Sequence, residues 1–588
     1  MWGRLWVTSP STRGVCGCGD PSLFQWFLAW PAHALATAHS LVYSRDLFHP
    51  AGVNLLANTS VLGLGVPLSP VTWLGGPVLT ENVALLLAVP VAVLTMDLFL
   101  RRVTTSIGAR AVLSLLFGFS PYVIASLVLS HLMTAWIGIL PLIALGVTDA
   151  VSDERGRRRR GAVVLVVALV LQFFLSTELL LLGVLVAGII AVVVVVTWLI
   201  ERRPRGGLVV WLRRLAVPLG VAVVLLVVPA AYALFGPRSL KGNIWGSGFN
   251  PDTGGTSVAD LVRPHVVRAV LISLSGYPHA VIQMQFLGWG VLGVAAVVAI
   301  WQWRDAVART AAITTLACLV LSLSPFYVSW APWQWIGRLP VLQNVLQFRI
   351  VVFALMGAIV VIARGVAALD RLGRVGITAG VLALAVAAVP VAIPVIQSLP
   401  LRTVHVATPQ WWRDHAGSGV VLSYPYPSTT IQSPLTWQAK DAFRVSMLGG
   451  SGPQGTLSRA GADATATAIL EALSVKVTGR PTATASTAPS VRAMVARDAV
   501  TEVVVPVVLH GKPLVTGAPS VGAAAFFTLV LGIAPSVEHG AWVFHVTGAL
   551  PQPVFVSDAV ATACAASAAR APASLGRCLL GRGPVRTP

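Results

Sequence analysis

Long apolar runs alternate with short polar junctions along most of this chain, and the junctions differ in kind from one to the next. Crossing a bilayer as a helix takes about 20 apolar residues. Runs of that order lie near residues 80–100, 110–129, 132–149, 162–177, 180–200, 215–235, 283–303, 310–327, 349–369 and 375–397. Arginines gather at every second junction: Arg101 and Arg102; Arg155 with Arg157 to Arg160; Arg202, Arg203, Arg205, Arg213 and Arg214; Arg304 and Arg309; Arg371 and Arg374. Basic residues mark the cytoplasmic ends of membrane helices, so the pattern predicts an α-helical polytopic membrane protein of about ten spans with a defined sidedness. Residues 1–79 then form a first extracytoplasmic loop, 80–397 the transmembrane domain, and 398–588 a second extracytoplasmic domain. Met1 to Gly19 holds no run able to cross, which predicts a further N-terminal span upstream of the first loop.

Two apolar stretches in the first loop are too short to span. One is Leu23, Phe24, Trp26, Phe27, Leu28 and Trp30, and the other runs from Val61 to Leu74, broken by Pro67 and Pro70. Both are expected as helices lying in the outer membrane interface. The last third of the chain changes period. Strand-like runs at Val420–Tyr424, Val503–Leu509 and Trp542–Val546, with a helical pattern at Ala466–Leu473, predict a C-terminal α/β domain.

Composition sharpens the class. The chain is 56% hydrophobic and 11% charged, whereas soluble domains carry about 25% charge, so a soluble globule is excluded and the bilayer is the first partner. The net charge of +20 does not point to nucleic acid, because most arginines sit at span ends, where they face anionic lipid. Cys564 and Cys578 share the outer domain, where an oxidising compartment permits a disulfide. Cys318 falls inside a span and is expected as a buried free thiol, Cys16 and Cys18 are too close for a relaxed bridge, and nothing has zinc-site spacing.

Once the spans are oriented, the unusual polar residues fall on the outer side. Asp20 is in the first loop, His131 is at the hairpin between the second and third runs, and Glu178 ends the fourth. Arg238 and Lys241 follow the sixth run, and Gln347 and Arg349 open the ninth. Ionisable groups at membrane depth are costly and mark function, although each has an ordinary alternative: Glu178 as a helix cap, His131 as an interhelical hydrogen bond, Arg349 as a snorkelling side chain. Trp330, Trp333 and Trp335 read as an interfacial aromatic belt.

Several motifs carry a family likeness. Gly19-Asp20-Pro21-Ser22-Leu23-Phe24-Gln25-Trp26-Phe27-Leu28, then His49-Pro50-Ala51-Gly52-Val53-Asn54-Leu55 and Asn58-Thr59-Ser60, resemble the GT-C superfamily of membrane glycosyltransferases in its actinobacterial members. Phe117-Gly118-Phe119-Ser120-Pro121-Tyr122, Gln172 to Glu178, Gly236-Pro237-Arg238 and Trp437-Gln438-Ala439 extend the likeness. The resemblance implies an inverting glycosyltransferase whose donor is a sugar on a polyprenyl phosphate. Its acceptor would be a cell-envelope glycan, lipid or protein outside the cell membrane. It assigns Asp20 as general base, and Arg238, Lys241, Arg349, His131 and Glu178 become substrate-binding candidates. Such chemistry needs no protein cofactor. Asp20 is followed by Pro21 rather than by a second acid, and one carboxylate is a poor site for a hard divalent cation. Two other classes fit a polytopic envelope protein: a transporter or lipid flippase, which favours internal repeats and midplane charges, and a non-catalytic assembly protein.

Overall fold

The computed structural model describes residues 8–15, 20–57, 60–201, 205–240, 242, 256–264, 266–267, 281–397, 399, 403–415, 417–429, 431–452, 464–474, 482–507 and 520–581. Helix covers each predicted apolar run at least in part: the run at 132–149 is broken at residues 136–138, that at 283–303 is helical only over Trp289–Trp301, and that at 310–327 only as far as Ser322. In chain order the helices are α2 (Ser69–Leu100), α3 (Ile107–Gly118) with α4 (Pro121–Val128), α5 (Ile139–Ala150), α6 (Arg155–Leu175), α7 (Thr177–Ile200) and α8 (Arg205–Phe235), then α9 (Trp289–Trp301), α10 (Ala306–Ser322), α11 (Val351–Leu369) and α12 (Gly373–Gln397). Among the described residues, 5 stretches are by length and composition fit to cross a membrane: Ser69–Leu100, Ile107–Val128, Thr177–Ile200, Gly207–Phe235 and Gln347–Gln397, the last joining two helices. The shorter apolar helices Ile139–Ala150, Trp289–Trp301 and Ala306–Ser322 lie between them in the chain.

Ion pairs tie one end of the bundle together. Arg102 binds Asp149 at 2.7 Å, Arg157 reaches the same carboxylate at 3.2 Å, and Arg214 binds Asp153 at 2.9 Å. Arg309 pairs with Glu201 and Arg364 with Asp305. These contacts join the C-terminal ends of α2, α5, α7 and α11 to the N-terminal ends of α6, α8 and α10, which is the end that the arginine clusters mark in the sequence. The carboxylates were not part of that pattern, yet Asp149, Asp153 and Glu201 each give a clustered arginine a partner, and Asp305 pairs with Arg364.

The N-terminal segment departs from expectation. Helix α1 (Pro21–Thr37) is buried along almost its whole length, with Trp26 at 0% and Trp30 at 1% exposure. A helix apolar all round belongs in a core, and α1 packs between α2 and α13 (Ser433–Lys440). The expected interfacial helix is therefore covered by protein. The second stretch keeps its exposed aromatic face, with Trp73 58% exposed. Within α2, Gly76 at φ +78° breaks the helix between this stretch and the long run that follows.

The C-terminal region holds a five-stranded sheet formed by β5 (Gly419–Ser423), β6 (Val445–Met447), β7 (Glu502–Pro506), β8 (Ser536–Glu538) and β9 (Ala541–His545). Its order is β8-β9-β7-β5-β6, with β5 parallel to both β6 and β7 and the remaining pairs antiparallel. Helices Ala464–Ser474, Ala488–Arg497, Ser520–Leu531, Asp558–Ala568 and Leu575–Leu580 close a second core over it. Cys564 and Cys578 form a disulfide, and Cys318 is a buried free thiol; Cys16 and Cys18 lie outside the described residues.

The first loop and the C-terminal region pack against each other. Strand β1 (Arg13–Val15) pairs with β4 (Thr403–His405). The outer edge of β6 is completed by the first loop, where the Met447 N–H donates to the Asp46 carbonyl at 2.9 Å and the His49 N–H to the Met447 carbonyl at 3.0 Å. Trp411, Trp412, Leu435 and Phe443 share one core with α1 and the bundle.

Candidate functional site

At the bundle end opposite the ion-pair belt, Asp20 stands at the N-terminal cap of α1, with Pro21 opening the helix behind it. Its backbone N–H donates to the Leu129 carbonyl at 3.1 Å, which sets it beside the turn after α4. In that turn Ser130 takes a positive φ of 55°, and His131 follows with Nε2 at 3.2 Å from Asp20 Oδ2. The other carboxylate oxygen, Oδ1, accepts from Gln432 Nε2 at 2.6 Å. Burial works to raise the Asp20 carboxyl. The hydrogen bond and charge of His131, the Gln432 amide and the nearby Arg349 guanidinium outweigh it and hold the group below the usual aspartate value.

Arg349 belongs to the short 3₁₀ turn Gln347–Ile350 that leads into α11. It is ion-paired to Glu178 at the start of α7, and the second Glu178 oxygen accepts the Leu346 N–H at 2.7 Å. Ser176, whose hydroxyl accepts the Leu179 N–H at 3.3 Å, caps α7, and Glu178 instead orients an arginine from another element. Tyr122, near the start of α4, lies within electrostatic reach of both members of this pair. Four buried polar atoms around Asp20 and Arg349 have no hydrogen-bond partner among the described residues: Tyr122 Oη, His131 Nδ1, Arg349 Nε and Gln432 Oε1. Buried polar groups are nearly always satisfied, which sets these four atoms apart from the bonded groups around them.

A second layer positions this centre. Glu81, buried in α2, accepts from Gln25 Nε2 at 2.6 Å and from the Ser130 hydroxyl. Thr436 Oγ1 donates to Gln25 Oε1 at 2.6 Å, and Trp26 Nε1 to Gln438 Oε1 at 2.7 Å. These bonds lock α13 and the turn before His131 onto the same helix that carries Asp20. Among the described residues no group of three potential metal ligands occurs.

The structure therefore gathers Asp20, His131, Glu178 and Arg349. Arg238 is placed differently, at φ +54° just after α8, where Asn54 Nδ2 donates to the Tyr232 and Pro237 carbonyls at 3.1 and 3.0 Å. Lys241 lies outside the described residues. Of the tryptophan belt, Trp330 and Trp335 are each 59% exposed, whereas Trp333 is 1% exposed and packs inward. Gln432 and Glu81 are additions absent from the sequence pattern, and Gln25 and Tyr122 stood there only within the family motifs, without a site role. Glu81 carried a signal, as a lone acid inside an apolar run; Gln432 carried none.

Several solved structures align with most of this chain at low sequence identity. The apo oligosaccharyltransferase of Archaeoglobus fulgidus matches with 13% identity and a TM-score of 0.47, over 84% of this chain and 66% of that one. The arabinofuranosyltransferase AftD from Mycobacteria matches with 16% identity and a TM-score of 0.45, over 85% of this chain and 34% of that one. ArnT from Cupriavidus metallidurans bound to undecaprenyl phosphate matches with 12% identity and a TM-score of 0.32, over 81% of this chain and 79% of that one. The chain spans just under two thirds of the length of the archaeal enzyme. No family model and no curated protein matches it.

Proposed function

We propose that the chain is a membrane glycosyltransferase that moves a sugar from a polyprenyl-phosphate donor to a hydroxyl of a cell-envelope acceptor, with Asp20 as general base. The observation that carries this reading is the state of Asp20. Its carboxylate is kept ionised by His131 and Gln432 on its two oxygens, and it sits within reach of a buried arginine that retains an open N–H.

That pairing suits a displacement at an anomeric carbon. The acceptor oxygen attacks, the bond from that carbon to the phosphate oxygen breaks, and its electrons leave with the phosphate. Asp20 takes the acceptor's proton, and a single displacement inverts the anomeric centre. A phosphate monoester is already anionic near neutral pH, so no general acid is required. A positioned carboxylate and a cation beside the departing oxygens suffice. Arg349 Nε and Tyr122 Oη are left for that phosphate, and Glu178 aims the guanidinium. Substrate carried in the membrane's outer leaflet would meet the bundle end that bears Asp20, with residues 398–588 outside the cell and folded over it.

Membranes containing the chain, given radiolabelled polyprenyl-phosphoryl sugars or the corresponding nucleotide sugars, test the reading. Label should enter acceptor material from the lipid-linked donors alone. Equal incorporation from nucleotide sugars in membranes stripped of polyprenyl phosphate would refute it.

A further inference from the structure

We propose that Gln432 determines acceptor specificity: its Nε2 holds Asp20 while its Oε1 receives a hydrogen bond from a second hydroxyl of the acceptor, adjacent to the one that attacks. This deepens the glycosyltransferase reading and rests on Asp20 as base. It narrows the acceptor class to a glycan, because a vicinal pair of hydroxyls is ordinary on a sugar ring and absent from a simple lipid alcohol or a serine side chain.

The orientation of the amide is forced. Gln432 Nε2 faces two acceptors, Asp20 Oδ1 at 2.6 Å and the Thr429 carbonyl at 3.3 Å. A flipped side chain would set its oxygen against a carboxylate and a carbonyl, and neither can donate. Oε1 must therefore point away from both, and there it is buried without a partner, in a residue only 6% exposed. An open acceptor atom in that position asks for a donor. The amide plane ties it rigidly to the base, so the donor that fills it lies next to whatever group Asp20 deprotonates.

The supporting elements leave Gln432 little freedom. It is the residue that immediately precedes α13, and the Thr436–Gln25 and Trp26–Gln438 bonds clamp that helix to α1. The C-terminal region thereby supplies a residue to a site whose base comes from the first loop. A site built to hydrogen-bond a substrate hydroxyl strongly rejects the analogue that lacks it, and a clamped side chain cannot swing away to relieve the unpaired group.

The test uses the full chain in lipid nanodiscs and a panel of octyl pyranosides and furanosides with their single-deoxy analogues. Binding is measured directly, and transfer is measured from polyprenyl-phosphoryl sugar. We expect the wild type to prefer one parent glycoside over one deoxy analogue by at least about tenfold. Gln432→Met should bind the two equally and show a raised acceptor KM with the donor KM unchanged. If the Met variant does not fold, Gln432→Asn, whose shorter amide cannot reach both partners, should show the same loss of preference. Discrimination retained in these variants, or octanol bound as well as any glycoside by the wild type, would overturn the proposal. Asp20→Asn run in parallel separates the two ideas. Undiminished transfer by that variant removes the base and leaves Gln432 as an acceptor contact, whereas an inactive Asp20→Asn beside a discriminating Gln432→Met removes the contact alone.

Discussion

Replacing Glu178 by alanine leaves Arg349 in a site where its side chain is 8% exposed, without the carboxylate that faces it. Breaking a buried ion pair by removing one partner costs about 3–5 kcal/mol, because the remaining charge stays desolvated. The Leu346 N–H loses its acceptor as well, and an unsatisfied buried amide adds about 1–3 kcal/mol. Two features pull the total down. The Glu178 side chain is 20% exposed, so water can reach part of the vacancy, and Asp20 is close enough to attract the freed guanidinium. We expect a loss of about 4 kcal/mol, a large share of the roughly 5–15 kcal/mol that holds a folded protein together. Glu178→Gln keeps an oxygen for Leu346 and should cost at least about 1 kcal/mol less. The decisive assay is a double-mutant cycle by equilibrium unfolding in bicelles with Glu178→Ala, Arg349→Met and the double variant. Removing both charges leaves neither uncompensated, so the coupling energy should reach about 2 kcal/mol or more. Single-variant costs that add to within about 0.5 kcal/mol would refute the idea that this pair is a buried, mutually dependent unit.

Further predictions concern other parts of the molecule. His131→Asn should move the acidic limb of the transfer rate to higher pH, because His131 helps to hold the Asp20 carboxyl below its usual value; an unmoved limb would show that the contact does not tune the base. Burial pushes the Asp441 carboxyl up to about 7 despite Arg444. A raised folded-state value favours the protonated form, so its contribution to stability is complete below about pH 4 and is lost as pH rises through about 7. Asp441→Asn should flatten that dependence in thermal melts and gain on the wild type at pH 8. Reducing the disulfide between Cys564 and Cys578, which are 14 residues apart, should destabilise the C-terminal region by about 3 kcal/mol. Equal melting temperatures for the oxidised and reduced proteins would contradict that.

What the sequence revealed follows from which forces act locally. Apolar runs the length of a bilayer and arginines at alternate junctions report the bundle directly, and the strand periods near Val420, Val503 and Trp542 report the sheet. The gathering of Asp20, His131, Glu178 and Arg349 was approachable because sidedness alone sorted them to one end. The aromatic stretch after Asp20 misled, since composition says that a helix must bury its surface without saying in what. Lipid was the expected cover, and α13, from more than 400 positions along the chain, provides much of it. Gln432 has no signature for the same reason, because an ordinary polar residue gains its role only through a contact between distant segments. The carboxylates that answer the arginine clusters could have been seen beside them, but their pairing across helices could not.

The central claim is that Asp20 accepts the acceptor's proton. Asp20→Asn preserves the size of the side chain and an oxygen for Gln432, while removing the charge that makes a base. A positioned general base contributes roughly 10²–10⁴-fold to a rate, so transfer of labelled sugar from polyprenyl-phosphoryl donor by the purified Asp20→Asn chain should fall by at least about 100-fold, with its melting temperature close to that of the wild type. A folded Asp20→Asn protein that transfers sugar at the wild-type rate would contradict the account.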